Sequence, residues 1–343
     1  MRNKKLIKKN SIIECINKIR SEIQHDEVDI NIQEIILKNN ELWIIGEDRV
    51  DKSAVIGKGG WVVGRLKEEL NLNQIHVESY EDYILKKYKL KLSLKYLNQF
   101  ISKTKLDINP FNNLKKLLNY KIENIYTFHL KDFIKENNFN ETSNFKTCVA
   151  LSGGVDSNFS LILSKFLGFN PIAITIDPGT IVLPNQFKKN INNLTKELNV
   201  SHKYIPIEYD NIIRESLNGK SHPCGNCSKK IENTINTYAN DNNIPLVIYG
   251  DMISTGSQSI KTKENITRLN LPAITISQKQ EIKNIISDYN INKIEGFGCP
   301  LLYEVHKKYS HMKKFSIQRI LRETRTGALE SGEALDLIWS FYK

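Results

Sequence analysis

The sequence predicts an α/β protein: a C-terminal domain built on a parallel sheet, preceded by a smaller α+β domain. Three observations carry that prediction. From Thr147 onward, short apolar runs rich in β-branched residues alternate with stretches of helical spacing, the pattern of a parallel sheet with crossover helices. Thr147–Leu151 runs through Ser152-Gly153-Gly154 straight into helical spacing (Phe159, Leu161, Ile162, Phe166, Leu167), a strand–turn–helix unit. Ahead of it, the order helix, strand, strand, helix, Gly57-Lys58-Gly59-Gly60, helix, strand describes a second, mixed unit.

Length and composition bound the answer. The 343 residues suffice for two or three domains, and 40% hydrophobic with 25% charged residues is ordinary for a globular chain. No apolar run approaches a membrane span, and the basic Met1–Asn10 lacks a signal-peptide core, so a cytoplasmic protein with no membrane partner is expected. The net charge of +11 suits a polyanionic partner. It is spread along the chain, however, and a Lys-, Asn- and Ile-rich composition accounts for it equally well. Five cysteines in a chain of this kind point to metal or sulfur chemistry before disulfides.

In order, Asn10–Ile23 spaces five isoleucines on one helical face, with Ser11 as its cap and Cys15 as a thiol without chemistry. Strands are expected at Ile30–Leu37 and Leu42–Ile45, a helix from Ser53, the glycine turn, a helix to Leu70, and a strand at Gln74–Val77. Val-Ile-Gly-x-x-Gly between two helices resembles the KH domain, over about residues 28–80. That resemblance implies that Gly57, Lys58, Gly59 and Gly60 clamp a single-stranded nucleic acid backbone. A dinucleotide fingerprint fails, because Val62 stands where the third glycine belongs. Tyr80–Ser102 reads as a helix with a lysine cluster (Lys86, Lys87, Lys89, Lys91, Lys95) and interleaved tyrosines. Leu114–Asn137 is again helical. The expected division is an N-terminal region over 1–105, a helical linker over 106–145 and the parallel-sheet domain over 146–343.

In that last domain, strands are expected at Thr147–Leu151, Pro171–Ile176, Lys203–Ile207 and Pro245–Tyr249, and helices at Asn185–Leu198 and Ile212–Leu217. Ser152–Ser157 forms a phosphate cradle. Paired glycines let the backbone approach an anion, a helix N-terminus faces it, and Ser152 and Ser157 add hydroxyls. Asp156 is a candidate Mg2+ ligand. No Walker lysine is present. The string Ser152-Gly153-Gly154-Val155-Asp156-Ser157 resembles the signature of the PP-loop ATP pyrophosphatase superfamily, with its adenine nucleotide alpha hydrolase-like fold. The resemblance implies that ATP is cut between its α and β phosphates, and that Ile176 and Asp177 line the nucleotide. Gly250 and Asp251 fall at another strand end. A turn former or helix cap is the alternative for either Asp177 or Asp251, and for Asp251 the two readings weigh evenly.

Cys224 and Cys227 form a C-x-x-C in a loop after the third strand, and Cys299 lies 72 positions further on, inside Gly296-Phe-Gly-Cys-Pro-Leu. Thiolates at this spacing suit zinc, a cluster or redox chemistry. Three cysteines beside a PP-loop resemble the tRNA 2-thiolation enzymes, across about Thr147–Lys343. By that resemblance Cys224, Cys227 and Cys299 hold a [4Fe-4S] cluster, and ATP with Mg2+ adenylates a base carbonyl that sulfur then replaces. Catalytic roles are implied for Asp156 and the three cysteines. The partners implied are tRNA or another RNA and a sulfur donor, sulfide or a carrier protein, and a homodimer is allowed. Zinc modules typical of that group are absent, and Gly250-Asp-Met-Ile-Ser-Thr-Gly-Ser replaces its usual sequence after the fourth strand. A persulfide without a cluster, a structural or zinc-bound C-x-x-C with His222 helping, a ligase acting on a small carboxylate, and a non-catalytic RNA-binding protein all stay open. Arg319, Arg322 and Arg325 share one face of a helical Phe315–Lys343 and are candidates for phosphate contact, with a solvent face as the alternative.

Overall fold

Two separate hydrophobic cores organise the chain. The computed structural model describes residues 8–292 and 299–342. One unit comprises the described residues up to Tyr88 together with Glu123–Phe128; the other comprises Lys89–Ile122 and the described residues from His129.

The first unit begins with α1 (Lys9–Glu22), whose Ile12, Ile16 and Ile19 recur every three or four residues and are fully buried. Its N-cap is Lys8 with no side-chain cap, so Ser11 lies inside the helix instead of starting it. Strands β1 (Ile32–Lys38) and β2 (Glu41–Gly46) pair antiparallel, and β2 pairs in parallel with β3 (Gln74–Ser79). A parallel neighbour requires a crossover, which α2 (Arg49–Ile56) and α3 (Trp61–Glu69) supply. Asp48 starts α2 by accepting from Val50 N at 2.7 Å and Asp51 N at 2.9 Å. Val55, Val62 and Leu66 join the α1 isoleucines, Leu42 and Ile44 in one core.

Helix α4 (Tyr80–Ile101) carries the chain into the second unit, where α5 (Asn109–Glu123) and α6 (Leu130–Glu136) follow. The single helix expected over Leu114–Asn137 is therefore broken. Residues 106–145 are also no linker, since most of them pack into the second core. Phe111, fully buried, sits against Phe100 at 4.9 Å, Phe169 at 5.2 Å and Phe145 at 6.5 Å between ring centroids. The break, Glu123–Phe128, belongs to the first unit, where Tyr126 meets the Tyr83 ring edge-on at 4.6 Å.

The large sheet contains β4 (Lys146–Ala150), β5 (Asn170–Asp177), β6 (Ser201–Pro206), β7 (Leu246–Tyr249), β8 (Ile260–Lys263) and β9 (Ile266–Asn270), in the order β6-β5-β4-β7-β9-β8. All pairs are parallel except the β8–β9 hairpin, an addition beyond the four expected strands. This is the α/β class read from the sequence. Helices α7 (Val155–Phe166), α8 (Asn185–Glu197), α9 (Asp210–Leu217) and α10 (Pro223–Asp241) connect the strands. The chain then continues through α11 (Leu271–Ile274), α12 (Lys279–Ile286), α13 (Pro300–Lys308), α14 (Lys313–Arg325) and α15 (Ser331–Trp339). Cys148, Ile174, Ile176, Val247 and Tyr249 pack against Ile235 and Ala239 of α10. Alternate residues such as Val149 and Ile248 are equally buried toward the opposite layer, which contains α7. From β4 the chain moves to β5 and β6, then crosses back to β7 on the other flank of β4. The strand order therefore reverses between β4 and β7, the position where open parallel sheets bind ligands.

Helix α12 is anchored by a buried ion pair. Lys121 of α5 is 1% exposed and donates to both carboxylate oxygens of Glu281 at 2.8 and 2.9 Å. Removing the ammonium takes away both of these buried charge-assisted bonds, so Lys121→Met should destabilise the second unit by about 3 kcal/mol, read as a lowered urea midpoint. An unchanged midpoint would show that the pair contributes nothing.

Candidate active site

The glycine turn after β4 is built as a cradle. Gly153 takes a positive φ of 75°, and Gly154 is the N-cap of α7 with no side-chain cap, which leaves the first-turn N–H groups of α7 facing outward. Ser157 Oγ accepts from Ser152 N at 3.2 Å, lies 3.1 Å from Ser152 Oγ and donates to Gly154 O at 3.0 Å. Asn158 Nδ2 braces Gly153 O at 3.1 Å. Across the strand-order reversal, Gly250 follows β7 so closely that a Cβ there would lie 2.9 Å from the backbone of Asp156 and Ser157. Gly250 thus joins Ser152–Ser157 at one place, whereas the exposed Asp251 side chain pairs with Arg268.

Each aspartate at this edge has a basic partner. Both oxygens of Asp156 receive Lys279 Nζ at 2.5 Å, from the first residue of α12. Asp177 accepts from Lys188 at 2.6 Å and from Gly179 N at 3.1 Å. Asp251 accepts from Arg268 at 2.5 Å. Arg268 also pairs with Glu232 at 2.7 Å and lies 4.1 Å from the Tyr249 ring centroid. Ile176 is 6% exposed within the core under α10, so its side chain is closed to a ligand. Lys279 was missed by sequence reasoning: it lies 123 residues from Asp156, in a run with no glycine or motif to mark it. Beyond β7, a polar cavity of about 630 Å³ is lined by Asn233, Asn236, Tyr249, Gln258, Lys261 and Arg268 among others, none of them expected from sequence.

The C-x-x-C is not in a loop. Pro223 is the first residue of α10, so Cys224 and Cys227 occupy its opening turns, proline being favoured at that position. Helix α10 runs back toward the start of β7, which puts its N-terminus at the carboxyl edge of the sheet, the edge that carries the cradle. Cys299 is the N-cap of α13, and that helix packs against Ile181 and Val182 just after β5. All five cysteines are free. The glycines before Cys299, Gly296 and Gly298, lie outside the described residues. Cys224, Cys227 and Cys299 are near enough that a charge on Cys299 raises the pKa of both others, and one on Cys227 that of Cys224. Among the described residues they do not form a group whose sulfurs all lie within 4.8 Å of one another.

Burial dominates the thiols. It pushes Cys224 up to about 11 against the pull of the Arg319 guanidinium. Burial also raises Cys227, opposed by the Tyr209 hydroxyl, which donates to Cys227 O at 3.1 Å and approaches its Sγ at 3.5 Å. Burial raises Cys299, opposed by N–H groups of Leu302 and Leu301 at the start of α13. Around them, Ser316 Oγ lies 3.5 Å from His222 Nε2 and 3.2 Å from His306 Nε2. Arg319 pairs with Glu323 at 3.3 Å. Cys148 is buried in β4 and Cys15 hydrogen-bonds Glu69 at 3.1 Å, both apart from this group.

In the first unit, Gly57, Gly59 and Gly60 all take positive φ, and Lys58–Gly60 forms a single 3₁₀ turn. A Cβ on Gly57 would stand 2.2 Å from Val62 Cγ2, whereas Gly59 and Gly60 have nothing within 4 Å of theirs. The turn is thus packed on one side and open on the other, with Lys58 exposed and Trp61 55% exposed beside it.

No protein-family model matches the chain. It is 33% identical over 259 residues to the uncharacterized Methanocaldococcus jannaschii protein MJ1638, an alignment covering 75% of this chain and 92% of that one. Among solved structures, the U34-tRNA thiolase NcsA from Methanococcus maripaludis with its [4Fe-4S] cluster is similar at 14% identity and a TM-score of 0.36. That overlap takes in 62% of this chain and 76% of the other. A predicted tRNA methyltransferase subunit from Methanocaldococcus jannaschii is similar at 20% identity and a TM-score of 0.34, over 48% and 89%. At these scores neither likeness bears on function.

In reduced, metal-free protein, burial keeps Cys224 a neutral thiol at neutral pH. With a pKa raised to about 11, the thiolate fraction at pH 8 is roughly a thousandth. Its alkylation rate should climb about tenfold per pH unit from 8 to 10, followed by peptide mass mapping. A plateau near pH 9 would contradict the burial.

Proposed function

This chain belongs to the family of the Methanocaldococcus jannaschii protein MJ1638, and we propose that it is an ATP-dependent RNA sulfurtransferase acting on tRNA. The reading is carried by one observation. A Ser-Gly-Gly-Val-Asp-Ser cradle and the N-terminus of the C-x-x-C helix open on the same edge of one sheet, with a third cysteine in electrostatic reach of the pair.

The cradle suits a nucleotide triphosphate. Backbone N–H groups at the start of α7 and the Ser152 hydroxyl are donors for phosphate oxygens, while Ser157 braces the turn, and Gly250 keeps side chains out of the approach. A base carbonyl oxygen attacks the α-phosphorus, pyrophosphate leaves, and the adenylated carbon is open to a sulfur nucleophile that displaces AMP. Asp156 is the residue that would hold Mg2+, which supplies charge neutralisation at the phosphates. The carboxylate fits that role, being partly exposed and already held against a cation.

The three thiols fit an iron–sulfur cluster. They supply three sulfurs near one another, and N–H groups aimed at Cys299 match the hydrogen bonds that surround cluster sulfurs. Bound there, a [4Fe-4S] cluster supplies an iron able to carry sulfur. In the first unit, the order α-β-β-α-α-β and the open Gly57–Gly60 turn support the KH-like reading and an RNA backbone grip.

Anaerobically prepared protein with tRNA, ATP and sulfide should release pyrophosphate and yield a thionucleoside detectable by mass spectrometry. Asp156→Ala should abolish both while leaving RNA affinity unchanged. Pyrophosphate release driven by a small carboxylate and indifferent to RNA would overturn the acceptor.

Gly59→Asp adds a negative charge at an open positive-φ position that aspartate tolerates, so folding should survive while RNA affinity falls about tenfold. Unaltered affinity in filter binding would take this turn out of RNA contact.

A further inference from the structure

We propose that Lys279 is the phosphate-binding cation of the nucleotide site, held on Asp156 until a triphosphate takes it over. The inference rests on the nucleotide reading above and adds a residue that the signature lacks.

Three observations carry it. The turn from Ser152 to Ser157 contains no basic residue, so it offers N–H dipoles and hydroxyls but no full positive charge to a polyanion. Lys279 supplies one from outside the motif: its Nζ lies 2.5 Å from both oxygens of Asp156, in the first turn of α7, where the N–H groups point. Its side chain is 16% exposed and that of Asp156 is 22% exposed, so the pair is shielded yet open to a ligand.

The position of Lys279 is also secured independently of Asp156. Its backbone N–H donates to Ala328 O at 2.9 Å, and two residues on, Glu281 is gripped by buried Lys121. The other aspartates at this edge are held differently. Arg268 is fixed by Glu232 and the Tyr249 ring as well as by Asp251, and Lys188 lies 5.8 Å from the Tyr204 ring centroid. Among the described residues, Lys279 Nζ has no acceptor but Asp156. A four-carbon stem anchored at a helix start lets the ammonium swing a few ångströms onto phosphate oxygens without moving α12.

A competition follows. Asp156 is shared between an ammonium and a divalent cation, and occupation by Mg2+ releases Lys279 toward the nucleotide. Without Mg2+, the pair must break before Lys279 can serve the phosphates.

The test is binding of the uncleavable analogue α,β-methylene-ATP to the full chain, by equilibrium dialysis in EDTA and across a Mg2+ titration. Asp156→Asn frees the ammonium and should tighten binding in EDTA about tenfold. Lys279→Met should weaken binding in EDTA about tenfold and lower the half-saturating Mg2+, because the competitor for Asp156 is gone. Lys279→Arg keeps the charge and should restore binding in EDTA. If wild type binds the analogue but Lys279→Met matches it in both conditions, or Asp156→Asn weakens binding in EDTA, the inference falls and the nucleotide reading stands. Wild type that binds no analogue with or without Mg2+ would overturn the nucleotide reading itself.

Discussion

The backbone of Gly250 lies against the first turn of α7, and the geometry of the large sheet's carboxyl edge depends on that contact. Two strand ends meet there, β4 running into its glycine turn and β7 stopping beside it. A side chain of any size at position 250 would collide with the backbone of Asp156 and Ser157, at 2.9 Å from a Cβ. Atoms at that separation cannot be accommodated without moving the turn, and the turn is pinned by Ser157 and Asn158 to its own carbonyls. The cradle keeps its shape because β7 leaves it no room to sag.

Around that edge the charges are arranged in pairs. Asp156, Asp177 and Asp251 each sit against a lysine or arginine from a different element, α12, α8 and β9. Such pairing offsets each carboxylate, which unpaired would repel an anionic ligand. It also balances the charges of these three pairs locally, although the chain carries +11 overall. Partners reached by exchange of these pairs, and not by long-range attraction alone, are what the arrangement suits.

The cysteines follow a different logic. Two helix starts, those of α10 and α13, bring three thiols together, and burial holds them protonated in the absence of a ligand. Ligand binding must therefore expel protons, which ties occupancy of the group to pH. Helix N-termini and Arg319 favour the deprotonated state that burial opposes. The sulfurs are thus poised for a positively charged partner more than for chemistry as free thiolates.

By itself the sequence determined the local features. Period and composition located both sheets, the strands β1 to β7 to within a few residues, and the strand–turn–helix of the cradle, because these depend on neighbours in the chain. The glycine turns were legible for the same reason: positive φ and close approach select glycine on the spot. What only tertiary structure decided involved long separations or competing local signals. The C-x-x-C reads as loop beside its Gly and Pro residues, yet it folds as helix because Pro223 starts α10. The aromatic stripe around Phe111 turned an expected linker into core, and the polar-rich β8–β9 strands gained their identity only by pairing on β7. Lys279 meets Asp156 across 123 residues, and Cys299 joins a pair 72 positions earlier. No local pattern encodes such meetings, since they arise from how α12 and α13 pack once the sheet has formed.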